Sequence, residues 1–261
     1  MKIEEILRDT VQKTKSTFKG KSYNIEYIDL NVLPEEKRFL YTKEGIERRN
    51  IIFDDLHEEL LQKKLTNKEI YKHLRKNKDS YLVGNCMLLS IFSFCYLKEK
   101  HKNSLRALFY NPTIDYTEFN SLLTLQILCI QAPYSHAFVM VCPPSNTETK
   151  PELCMISEPN VFPQNAWICD PWANIICPAI DYDTMWKIKM AKWNLKGKTV
   201  HAVNQDFENK ADFNESPLSK YSYTAIQMGR KMTTDIITIH PNGKLTIEGE
   251  NSSNPKICTI L

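Results

Sequence analysis

The 261-residue sequence predicts an α+β fold, in which a cysteine-bearing helix packs on an antiparallel sheet behind a helical N-terminal region. Three observations carry that expectation. Most of the first 76 residues place apolar side chains at helical spacing in a Lys- and Glu-rich background. A Gly84-Asn85-Cys86 turn then opens an apolar run, also at helical spacing, that reads as a buried helix. Beyond residue 103 the pattern changes to short runs rich in β-branched and aromatic residues, separated by turns.

Taken in order, Ile3, Ile6, Leu7 and Val11 make residues 1–18 an amphipathic helix. SYNIEYIDL (23–31) alternates as a short strand does, and Pro34 starts a new segment. Residues 34–76 read as helical. Ile51, Ile52, Leu56, Leu60 and Leu61 mark one helix over 46–63, and Thr66-Asn67-Lys68-Glu69 is a capping box before the next. In YLVGNCMLLSIFSFCY (81–96), Leu88, Leu89, Phe92, Cys95 and Tyr96 follow Cys86 at helical spacing. SLRALFY (104–110), LLTLQILCI (122–130), SHAFVMVC (135–142) and AWICD (166–170) are expected strands. Between the last two, residues 143–163 contain five prolines and predict a long loop of the kind that lies over a binding cleft. Residues 181–195 form a helix with Trp186, Met190 and Trp193 on one face, and 237–248 a hairpin about Pro241-Asn242-Gly243. The expected organisation is a helical N-terminal region (1–78), a catalytic core (79–250) and a flexible C-terminal tail (251–261).

Composition excludes several functions. Basic and acidic residues nearly balance, 34 against 31, which argues against a nucleic-acid partner. Only seven glycines are present and no GxGxxG or GxxxxGK[ST] occurs, so no phosphate-cradling loop or nucleotide cofactor is expected. Eight cysteines include no CxxC pair. Several sit inside apolar runs, as buried thiols of a reducing compartment do. Zinc at Cys142, Cys154, Cys169 and Cys177 would need irregular spacings, so no metal is expected. MKIEEILRD has no apolar signal-peptide core, and the apolar stretch 122–142 is broken by Gln126, Gln131, Pro133 and His136, which argues against a membrane span.

Three short pieces fit one chemistry. Cys86 lies in the first turn of its helix, where unsatisfied N–H groups and the macrodipole favour a thiolate. His136 begins an apolar strand. Asp170 ends the next strand, followed by Pro171 and Trp172. Taken singly these are a buried thiol, a core histidine and a turn aspartate. Together, each at an element boundary, they are a nucleophile, a base and a residue that orients the base. Adjacent antiparallel strands bring residues about 5 Å apart, near enough for an Asp–His bond. Trp172 would shield that bond from water. His57, His73, His101, His201 and His240 lie in charged or weakly patterned segments.

GNC at a helix start, SHAFV on a strand and CDPW after the next resemble the papain-like Cys-His-Asp enzymes of bacterial effectors and toxins. These include the YopT-type effector proteases and the dermonecrotic-toxin-type glutamine deamidases. The resemblance covers about residues 80–175. It implies Cys86 as nucleophile, His136 as general base and acid, Asp170 as the orienting acid and Trp172 as the shielding aromatic. It implies a cysteine protease or protein-glutamine deamidase, with transglutaminase chemistry as a variant, acting on a host protein through an acyl-enzyme. The chain departs from the family in having no Gln at the papain-type distance before Cys86. With the backbone N–H of Cys86 as one oxyanion donor, the second is expected from Asn77, Asn85 or Asn174.

Cys258-Thr259-Ile260-Leu261 fits the C-a-a-X prenylation pattern, with Leu favouring geranylgeranyl. A host prenyltransferase and a membrane surface then become expected partners, though one prenyl chain anchors only weakly. Prenylation together with the effector-like core implies a bacterial protein acting in the host cytosol. The competing reading is a prenylated, membrane-associated interaction protein whose Cys-His-Asp set is incidental.

Overall fold

The structure, a computed structural model, describes residues 1–203 and 212–249. Chain order begins with α1 (Ile3–Thr17), β1 (Lys21–Ser22) and β2 (Ile25–Tyr27), then α2 (Glu35–Arg38), α3 (Lys43–Gln62) and α4 (Asn67–Lys76). β3 (Val83–Gly84), α5 (Cys86–Tyr96) and α6 (Lys102–Phe109) lead into β4 (Leu123–Ile130), β5 (His136–Cys142), β6 (Ile156–Ser157), β7 (Trp167–Asp170) and β8 (Ile175–Pro178). The chain continues through α7 (Tyr182–Leu195), β9 (Lys198–Val203), β10 (Asp212–Glu215), α8 (Lys220–Tyr223), α9 (Ala225–Met228), β11 (Lys231–Ile239) and β12 (Leu245–Glu248).

The main sheet is antiparallel throughout, in the order β12-β11-β4-β5-β7-β8, with β6 paired to β11. A second antiparallel sheet runs β10-β9-β2, and β1 pairs with β3 in parallel. The protein is thus α+β with an antiparallel sheet. β4 and β5 are buried along their whole length because both sheet faces are covered.

Side chains alternate between two cores. Leu123, Leu125, Ile127, Val139 and Val141 share one with α5 and the apolar faces of α1, α3 and α4. Phe138, Met140, Ile168 and Ile175 share the other with Tyr182, Trp186, Met190 and Trp193 of α7. α5 is buried on every side from Cys86 to Cys95, which is why its sequence is apolar all round. Ser93 is accommodated there by a 2.7 Å hydrogen bond to Thr14 of α1.

Three expectations need correction. Residues 104–110 are helical, in α6, rather than a strand. Leu, Arg and Ala in that run are strong helix formers, and Leu105 is the single residue of α6 that is fully buried. The strand expected over 23–31 is limited to Ile25–Tyr27. The proline-rich loop does not cover the cleft at Cys86. Its residues line a separate cavity around Cys142, at the far end of β5 from His136. The tail 251–261, including Cys258, lies outside the described residues. Among the described residues no helix is long and apolar enough to cross a membrane.

Candidate active site

α5 begins where the chain leaves β3. Gly84 is obligatory there, because a Cβ would fall 2.6 Å from the Phe18 ring and 2.8 Å from Leu89 Cδ1. Asn85 is the N-cap, and its side-chain oxygen accepts from Leu88 N at 2.9 Å. Cys86 is therefore held at N1 of a buried helix, 3% exposed, and lines a small cleft of about 60 Å³.

His136 and Asp170 meet at the same end of the sheet. β5 and β7 are antiparallel and pair Val139 with Cys169, so one more step of that register sets Asp170 across from Phe138. His136 lies two residues further along β5 on the same face, in the diagonal position that long side chains reach. His136 Nε2 donates to Asp170 Oδ2 at 2.9 Å. Cys86 and His136 line the same cleft, and the Cys86 side chain is among the groups that raise the imidazole. The three residues singled out in the sequence thus gather at one site, His136 bonded to Asp170 and sharing its cleft with Cys86.

The carboxylate of Asp170 is fully buried and fully engaged. Besides His136, Oδ2 accepts from the Tyr182 hydroxyl at 2.9 Å and Oδ1 from Ala173 N at 2.9 Å. Burial and the Asp170 charge hold the Tyr182 hydroxyl well above its ordinary range, so it remains a donor. His136 is subject to opposing effects. Burial disfavours its charge, but the Asp170 charge and hydrogen bond, with the contact to Cys86, outweigh it and raise the imidazole to about 10. An imidazolium beside a sulfur is the partner a thiolate requires. Trp172 and Trp186 wall the imidazole, with ring centroids 5.2 and 4.8 Å away.

Of the three asparagines considered for the oxyanion position, only Asn85 lines the cleft. Asn77 closes α4 and its amide is spent on His73. Asn174 receives Lys15 Nζ and faces a different cavity. A residue not anticipated joins Asn85 in the cleft wall. Parallel pairing of Ser22 with Gly84 carries the chain on so that Asn24 stands abreast of Cys86 in the cleft wall. Trp172 Nε1 donates to Ser22 Oγ at 2.8 Å and to Asn24 Oδ1 at 2.9 Å. An indole nitrogen can only donate, so the Asn24 atom it meets must be the carbonyl oxygen. The amide N–H groups of Asn24 are left for the cleft.

The N-terminal helices hold this wall. Arg49 of α3, 1% exposed, donates to the carbonyls of Ser22 and Ile25, the latter at 3.1 Å, and Phe53 stacks on Tyr23 at 4.1 Å. No local signal in 22–25 reveals that role, because it arises from pairing across 62 residues of chain. Among the described residues no group of three or more His, Cys, Asp or Glu side chains could hold a metal ion.

No protein-family model, curated protein or solved structure matches the chain. The geometry itself can support proton exchange between a thiol and an imidazole fixed by a buried carboxylate, at the mouth of a narrow cleft.

Proposed function

We propose that the protein is a thiol-dependent hydrolase of papain-like design that acts on a protein substrate, as a cysteine protease or a protein-glutamine deamidase. The observation that carries this reading is the placement of Cys86 beside His136 in one cleft, with the imidazole held by a buried Asp170 carboxylate that accepts three hydrogen bonds.

In this reading the Cys86 thiolate attacks the carbonyl of a peptide bond or side-chain carboxamide. The Cys86 backbone N–H and the Asn24 amide receive the developing oxyanion. His136 gives its proton to the departing nitrogen, releasing an amine or ammonia and leaving a thioester. His136 then takes a proton from water, whose oxygen attacks the thioester, and the acid leaves as the thiolate returns. Asp170 stays ionised throughout and keeps Nε2–H toward itself, so that the other ring nitrogen faces sulfur. Trp172 and Trp186 exclude water from that bond, and Tyr182 shares its charge.

The motif resemblance extends the proposal to a bacterial effector modifying a host protein. Intact-mass comparison of host-cell lysate proteins, after exposure to wild type or Cys86→Ala, tests the chemistry. Wild type is expected to yield either fragments or a gain of about one dalton on a target, the exchange of amide for acid. Modification that persists with Cys86→Ala contradicts the assignment.

A further inference from the structure

A second cavity, of about 230 Å³, lies on the other side of Trp172, which lines both. Four lysines converge on it from four elements: Lys15 in the last turn of α1, Lys21 in β1, Lys189 in α7 and Lys198 in β9. No aspartate or glutamate lines it. Among the described residues none of the four lysines forms an ion pair. The nearest influence of opposite sign on Lys189 is Asp170, whose oxygens already serve His136, Tyr182 and Ala173.

Neutral groups hold these cations in place. Lys15 Nζ donates to Asn174 Oδ1 at 3.1 Å, and Lys198 Nζ sits 4.3 Å from the Trp193 ring and 5.2 Å from that of Tyr27. Lys21 and Asn174 both keep left-handed backbone, at φ 69° and 57°, a conformation non-glycine residues rarely adopt. The charges act on one another. Burial and the charges of Lys189, Lys15 and Lys196 bring Lys198 down to about 8. Burial, Lys189 and Lys21 likewise lower Lys15. Like charges gathered in one concavity destabilise the folded state unless an anion joins them.

We propose that this cavity binds a multiply charged, phosphate-bearing anion. Each ammonium is a compact three-donor head, and a phosphate group offers three acceptor oxygens and up to two negative charges, whereas one carboxylate leaves most of the cluster unmatched. A soluble polyphosphate and a phosphoinositide headgroup present the same chemistry. The assignment does not depend on Cys86 being catalytic.

Pyrophosphate titration by calorimetry, and flotation with phosphatidylcholine vesicles with and without phosphatidylinositol bisphosphate, test the site and separate the sources. Lysine-dependent binding in either arm supports the proposal; the arm that responds names the source. Lys15→Gln/Lys189→Gln is expected to lower affinity about tenfold or more, while the double Arg variant retains most of it. Without ligand, the Gln variant should melt at or above the wild-type temperature because repulsion is relieved, which verifies its fold. Absence of binding in both arms, or binding undiminished in the Gln variant, overturns the proposal.

Discussion

The two faces of the main sheet do different work. Toward α5, the side chains of β4 and β5 are aliphatic, Leu123, Leu125, Ile127, Val139 and Val141, and their task is to seat one helix rigidly. Toward α7 the same strands present Phe138 and His136 to a layer of Tyr182, Trp172 and Trp186. One face fixes where the sulfur sits, and the other determines the charge of the imidazole that meets it. The buried cysteines differ from one another as well. Burial pushes the Cys142 thiol up to about 12, and burial with the charges of Asp181 and Asp170 takes Cys177 there as well. Among the described thiols, Cys86 is the one that lines a cleft together with His136. What distinguishes these buried cysteines is the group beside each sulfur, not the depth of its burial.

Substitutions on the two faces should separate stability from chemistry. The largest effect is expected at Asp170→Asn, which leaves burial to dominate His136 and should lower kcat by about 10⁴-fold in the proposed reaction. Stability should respond to pH as well. His136 is held at about 10 against an ordinary value of 6.5. Its stabilising contribution is therefore complete below about pH 6.5 and disappears as pH rises through about 10. Urea midpoints across that range should fall in wild type and lose this component in Asp170→Asn.

On the α5 face, Leu125→Ala should cost about 2–5 kcal/mol of stability, measured by denaturant unfolding, while activity per folded molecule is kept. A proportionate loss of kcat there would blur the division between the faces. Trp172→Phe preserves the aromatic wall but removes the donor that orients Asn24. It should reduce kcat by about tenfold to a hundredfold with little change in KM, part of what loss of one oxyanion donor produces. The smallest effect is expected at Asn85→Ala, which removes the cap of α5 for about 1 kcal/mol and should shift the melting temperature by a few degrees.

The aliphatic face was largely legible in the sequence, because helical and alternating periodicity report burial directly. α5, β4, β5 and β7 fall where the pattern sets them. Cys86, His136 and Asp170 were also legible, since each stands at an element boundary where reactive groups can be presented. What escaped was carried by distant pairing. Asn24 enters the cleft because β1 lies parallel to β3, and Arg49 supports it from α3. Tyr182 reaches Asp170 across the β8 hairpin. No local periodicity encodes such contacts. SLRALFY misled for the opposite reason: its apolar residues suit either period, and helix propensity decided the outcome.

Activation of Cys86 by His136 and Asp170 is read out by alkylation with iodoacetamide at about pH 6, where ordinary thiols are almost entirely protonated. Peptide mapping locates the adduct. Exposure alone would direct the label to Cys154, the exposed cysteine among those described. Cys86, 3% exposed, is expected to be modified first, and His136→Ala to abolish the preference. Labelling of Cys154 ahead of Cys86, or a Cys86 rate unchanged by His136→Ala, would contradict that activation.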